Sequence, residues 1–88
     1  MITPVKYTVN ITNGDDIVVE FAYIATGVKQ SDGLWYPYVA RYQDGRFISG
    51  SRVEFGFPTE TWALGIAKEV AENDARQLRD VAERLKKS

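Results

Sequence analysis

The sequence predicts an α+β domain: an antiparallel sheet of about four strands in meander order, packed on one long C-terminal α-helix. Three observations predict it. Apolar and polar residues alternate with period two over residues 5–11, and residues 17–25 form a second strand-like run whose more polar face is marked by Glu20. Two tight-turn signals, Asn13-Gly14 and Asp44-Gly45, each join strand-like segments. From residue 60 to residue 86 the apolar spacing changes to three and four, which is the period of an amphipathic helix.

The first strand, residues 5–11, sets Val5, Tyr7, Val9 and Ile11 against Lys6, Thr8 and Asn10. The second, residues 17–25, sets Ile17, Val19, Phe21 and Tyr23 against Val18, Glu20, Ala22 and Ile24, with Glu20 marking the wetter side. The stretch TGVKQSDG is rich in turn formers and is expected to be a loop. The third strand is placed at residues 36–42. Proline donates no ladder hydrogen bond, so Pro37 is expected to interrupt it and its regular part to begin near Tyr38. The fourth strand, residues 46–56, places Phe47, Ser49, Ser51, Val53 and Phe55 on one side, with a bulge or bend at Gly50. Thr59 is the expected N-cap of the helix, and Glu60 suits its first turn. Its stripe comprises Ala63, Ile66, Ala67, Val70, Leu78, Val81 and Leu85, with Ala71 and Ala75 between them. Gly65 costs helix stability and is expected to mark close approach to the sheet. A helix of this length, roughly 40 Å at 1.5 Å per residue, outruns a ten-residue strand. Leu78, Val81 and Leu85 are therefore candidates for a homodimer contact as well as for the chain's own core.

Eighty-eight residues fit a single domain. The chain has neither cysteine nor histidine, which removes disulfides, thiolate chemistry, the usual general base and the commonest metal ligand. The loop acids Asp15-Asp16 and Asp32 lack the regular oxygen spacing of a hard-cation loop, and no phosphate-binding glycine motif occurs. An enzyme, a metal site and a cofactor are accordingly not expected. No apolar run approaches ~18 residues, and MITPVKYTVN has neither the basic nor the apolar part of a signal peptide, so a cytoplasmic protein is expected. Net charge is −1, with no basic tail.

The candidate binding residues lie on the sheet. In LWYPYVARY one face carries Trp35, Pro37, Val39 and Arg41, and the other Tyr36, Tyr38, Ala40 and Tyr42. If the aromatic odd positions of the fourth strand face the helix, the tyrosine face matches them. The outer face then gathers Trp35, Arg41, Arg46, Arg52 and Lys6, interrupted by Glu20 and Glu54. A sheet carrying arginine and aromatic residues can read DNA or stack on bases.

Residues 33–70 resemble the AP2-type and integrase arm-type DNA-binding domains through Trp35, Ala40, Arg41, Asp44-Gly45-Arg46, Phe57-Pro58-Thr59 and Ala63. That resemblance implies a three-stranded sheet on one helix that binds duplex DNA, with Trp35, Arg41, Arg46 and Arg52 facing it. Two functions follow as expectations. One is a sheet-mediated DNA-binding module of a mobile element or small regulator. The other is a protein-binding adaptor or inhibitor, for example one that a phage directs at a host or defence protein, acting through exposed aromatic and arginine residues.

Overall fold

The computed structural model describes residues 3–12 and 16–87, with side chains through residue 85. Its elements are β1 (Val5–Thr12), β2 (Val18–Lys29), β3 (Trp35–Gln43), β4 (Arg46–Arg52) and α1 (Glu60–Lys87). The four strands form one antiparallel sheet in the order β1-β2-β3-β4, so the expected α+β meander is the observed fold. The Asn13-Gly14 turn lies outside the described residues. The second turn has the form its sequence requires: Asp44 and Gly45 both have positive φ (50° and 81°), as a type I′ hairpin demands.

Helix α1 begins as expected. The Trp62 N–H donates to Thr59 Oγ1 at 3.2 Å, which makes Thr59 the N-cap. The buried stripe is narrower than the sequence pattern, because Ala63, Ala67, Ala71 and Ala75 carry it with at most 1% exposure. Leu64, Val70 and Leu78 pack beside these alanines, whereas Val81 and Leu85 are exposed. Alanine every fourth residue removes bulk along one line and lets the helix backbone sit close to the sheet. The opposing residues are correspondingly small: a Cβ added to Gly27 would lie 3.3 Å from the Ala63 Cβ and 3.4 Å from the Glu60 carbonyl oxygen. Close approach thus occurs at Gly27 and not at Gly65, which is exposed and would meet nothing within 4 Å if given a methyl group. The helix packs on β2 with β3 and β1 at its sides, and no Cα of α1 comes within 8 Å of a Cα in β4.

Expectations about β2, β3 and β4 are corrected. First, β2 runs to Lys29, so the loop between β2 and β3 shrinks to residues 30–34. Gly33, with φ of 82°, and the hydrogen bond from Gly33 N–H to the Gln30 carbonyl turn the chain there. Second, β3 passes through Pro37 without interruption. The Pro37 carbonyl accepts the Val53 N–H at 2.9 Å, so its backbone groups point toward β4, where that strand is leaving the sheet. The missing N–H costs no bond to β2.

Third, the faces of β3 are reversed. Val5, Tyr7 and Val9 pair with Ala25, Tyr23 and Phe21, and Tyr23 and Ala25 pair in turn with Arg41 and Val39. Because the core holds Val9, Tyr23, Ala25 and Val39, the odd residues of β3 face the helix and the tyrosines face away from it. The reason is steric. Pro37 and Val39 are the fully buried side chains of β3 under the helix, near the end where Gly27 and Ala63 hold it closest, and that side already holds Tyr23 from β2. The expected core role of the fourth-strand aromatics fails for a related reason. A register shift between Arg41 and Tyr42 turns Phe47 onto the open side, and β4 is exposed along its whole length. It ends at Arg52, and Phe55 lies beyond it in an irregular segment, also exposed.

These packing relations predict opposite effects for two changes in the same helix. Ala67→Leu, which forces a larger side chain into the closed gap, should destabilise by about 1–3 kcal/mol. Gly65→Ala should stabilise by up to about 1 kcal/mol through helix propensity. Thermal unfolding followed by circular dichroism gives both signs, and equal effects would contradict the assigned gap.

Candidate functional site

Among the described residues no helix or strand lies over one face of the sheet, and the strand register defines its surface in rows. Lys6, Ile24, Ala40 and Gly50 form one row from β1 to β4. The next holds Thr8, Ala22, Tyr42 and Phe47, and on the other side lie Thr26, Tyr38 and Arg52. Val28 and Tyr36 close one end, and Asn10 and Glu20 approach the other. The centre is aromatic and aliphatic, and the charges stand at the border.

Each aromatic side chain has a fixed seat. Tyr38 lies across Gly50, whose hydrogen leaves the room: a Cβ there would come within 1.8 Å of Tyr38 Oη. Tyr42 and Phe47 meet edge to face, with ring centroids 5.6 Å apart and planes at 72°. The Arg52 guanidinium carbon lies 4.9 Å from the centre of the Tyr36 ring, a cation–π contact. Tyr36 Oη donates to Asp32 Oδ2 at 2.6 Å, and Leu34 N–H donates to Asp32 Oδ1 at 2.9 Å. The Tyr36 hydrogen bond, followed by the one from Leu34, holds the Asp32 carboxyl below its ordinary value. The same Tyr36–Asp32 bond raises the Tyr36 phenol. At the far end, Asp44 clips the β3–β4 turn to β2: its N–H donates to the Glu20 carbonyl at 2.8 Å, and its Oδ1 accepts the Glu20 N–H at 2.9 Å.

The five binding residues expected from sequence do not share this face. Lys6 and Arg52 are on it, at opposite edges of the sheet. Trp35, Arg41 and Arg46 belong by register to the helix-facing side. The Arg41 guanidinium is held by Asp74 Oδ2 at 2.6 Å and donates to Ser51 Oγ at 3.0 Å. It adjoins Tyr23, whose phenol is raised by burial and by the Asp74 carboxylate, with Arg41 opposing the rise. Trp35 is half-buried, its backbone bridged to Phe57 by hydrogen bonds of 2.8 and 2.7 Å. Phe57 in turn packs on Trp62, with ring centroids 5.1 Å apart.

The residues that sequence reading missed as a surface are Tyr36, Tyr38, Tyr42 and Phe47. A usable signal was present in the fourfold alanine repeat of the helix, which marks a close helix–sheet approach, tightest where Ala63 meets Gly27. Among the described residues no group of three or more acidic side chains is placed to hold a metal ion. Among the described residues no helix is long and apolar enough to cross a membrane.

The Asp32–Tyr36 pair gives a titration prediction. A carboxyl depressed in the folded protein contributes stability that is present above its unfolded value, near pH 4, and lost as pH falls through the folded value. Tyr36→Phe removes the largest cause of the depression, so the Asp32 midpoint should move up toward the ordinary range in a carboxyl NMR titration. An unmoved midpoint would rule out the Tyr36 bond as the cause. No protein-family model, curated protein or solved structure matches the chain.

Proposed function

We propose that this protein is a small non-catalytic binding module that contacts a protein partner through the open face of its sheet. One observation carries the reading: the face is aromatic along β3 and β4, with Tyr38 and Tyr42 in the middle, Phe47 beside them on the edge strand and Tyr36 at one end, while Lys6, Arg52 and Glu20 stand at the margin. Protein interfaces have this anatomy, with charge depleted from the centre and tyrosine, phenylalanine and arginine enriched. A duplex-DNA interface relies instead on cations distributed along the phosphate path. Here Arg41 is bound to Asp74 on the other side of the sheet, so the strip of cations expected from sequence is divided between two faces.

The seating of the aromatics favours recognition by a preformed surface. Tyr38 rests on Gly50, Tyr42 on Phe47, and Tyr36 is fixed by Asp32 and Arg52, so little rotamer entropy remains to be lost on binding. An adaptor, or an inhibitor that covers a partner's surface, needs no more chemistry than this.

The test compares tagged wild-type protein with a Tyr38→Ala/Phe47→Ala variant whose fold is checked by circular dichroism. Wild type should retain a protein, either another copy of itself or a different chain, that the variant does not. Equal retention by both, together with a salt-sensitive mobility shift of duplex DNA, would overturn the reading in favour of nucleic acid.

A further inference from the structure

We infer that the protein surface fitted to the open face is the same face of a second copy, giving a two-fold dimer with the two sheets packed together and the two helices outside. The inference rests on the proposed role of this face as a protein contact and names its partner.

Size is the first argument. Four strands spaced ~4.8 Å apart, over about seven residues at ~3.3 Å each, make a plane of about 450 Å². That is a little over half of the ~800 Å² per partner of a standard interface, a size that suits a weak, reversible pairing. The face also exposes Phe47 and Val18, at 58% and 57%, beside the half-buried tyrosines. Sheets with an apolar face of this kind are commonly closed by a second sheet about 10 Å away.

Self-complementarity is the second argument, and it selects one arrangement. Consider a two-fold axis in the interface, running across the strands between the Ala40 row and the Tyr42 row. It lays each strand over its own copy and exchanges those two rows. Ala40 then faces Tyr42 of the second copy, Ile24 faces Ala22, and the Tyr38 ring lying over Gly50 meets Phe47, so large side chains oppose small ones or a flat ring. The same operation exchanges the Tyr38–Arg52 row with the Glu20–Asp44 end, which sets Arg52 opposite the Asp44 turn, cation against acid. Lys6 comes opposite Thr8, and Glu20 opposite Thr26, so no like charges meet. An axis parallel to the strands also pairs large with small, but it places Glu20 opposite Asp44 of the second copy and leaves Arg52 without an acid. Charge therefore favours the crosswise axis. Two-fold self-pairing of one patch is the commonest symmetry among soluble oligomers, and it requires a single surface to match only itself.

The experiment is sedimentation equilibrium on the untagged chain from about 5 to 200 μM. Wild type should approach twice the 9.9 kDa chain mass. Phe47→Glu and Arg52→Glu, both at exposed positions, should each weaken association by roughly tenfold or more. A wild-type chain that stays monomeric across this range overturns the self-pairing. The protein-contact reading would then still stand or fall on whether the Tyr38→Ala/Phe47→Ala variant loses a different partner. A dimer that persists in Phe47→Glu but is lost in Val81→Glu also overturns it, because the contact then lies on the last turns of the helix.

Discussion

Ala63, Ala67, Ala71 and Ala75 set the distance between α1 and the sheet, and most of the molecule follows from that distance. Four residues on an α-helix turn through more than one full revolution, so successive alanines step round the axis by roughly 40°. A line that drifts in this way can follow a twisted sheet. At the start of the helix the gap admits Gly27, Ala25, Pro37 and Val39. Farther along, Tyr7, Ile11, Phe21 and Leu78 fill the wider part of the core. A helix is about 10 Å across, and four strands span about 19 Å. One helix centred on β2 therefore leaves β4 uncovered on its own side and leaves the opposite face bare.

The alanine gap also decides which face of β3 becomes surface. The tyrosines at positions 36, 38 and 42 alternate correctly for either side, and hydrophobicity alone does not choose between them. Volume does. Excluded from the tight side, they cover the other face, where Ala22 and Ala40 are buried between larger neighbours. Gly50 and the register shift before Tyr42 then fit β4 to those rings: the glycine gives Tyr38 a flat seat, and the shift brings Phe47 against Tyr42. The Asp44 clip to Glu20 joins β2 to the β3–β4 turn and holds the end of this surface in place.

The elements were legible in the sequence because their signals are local. Alternation placed β1 and β2, Asp44-Gly45 placed the turn, and Thr59 with the three-and-four spacing placed the helix start. The side of the sheet that each residue faces was not legible from the same signals, because facing is a property of pairing and packing between elements. Pro37 misled by its local rule, since the cost of a missing donor depends on which neighbour it points to, and here that neighbour is departing. The candidate site shifted for the same reason. Arg41 and Arg46 are two of the cations expected at a binding surface, yet the register sends both to the helix side.

The fate of Arg41 bears directly on function. Its side chain is 29% exposed and that of Asp74 is 26% exposed, so the pair is neither freely solvated nor fully desolvated. An arginine held on two sides by Asp74 and Ser51 is a strut between α1 and the β3–β4 pair, bridging the strip where the helix itself does not reach β4. Its charge is balanced there and contributes little to any long-range field. What remains on the open face is a balanced border around an uncharged aromatic centre. If the proposed protein contact holds, such a surface gains affinity mainly by removal of apolar area from water and by shape, with the border charges fixing orientation. On the proposed reading, selectivity resides in the seated rings of Tyr36, Tyr38, Tyr42 and Phe47, with Arg52 orienting a partner across them.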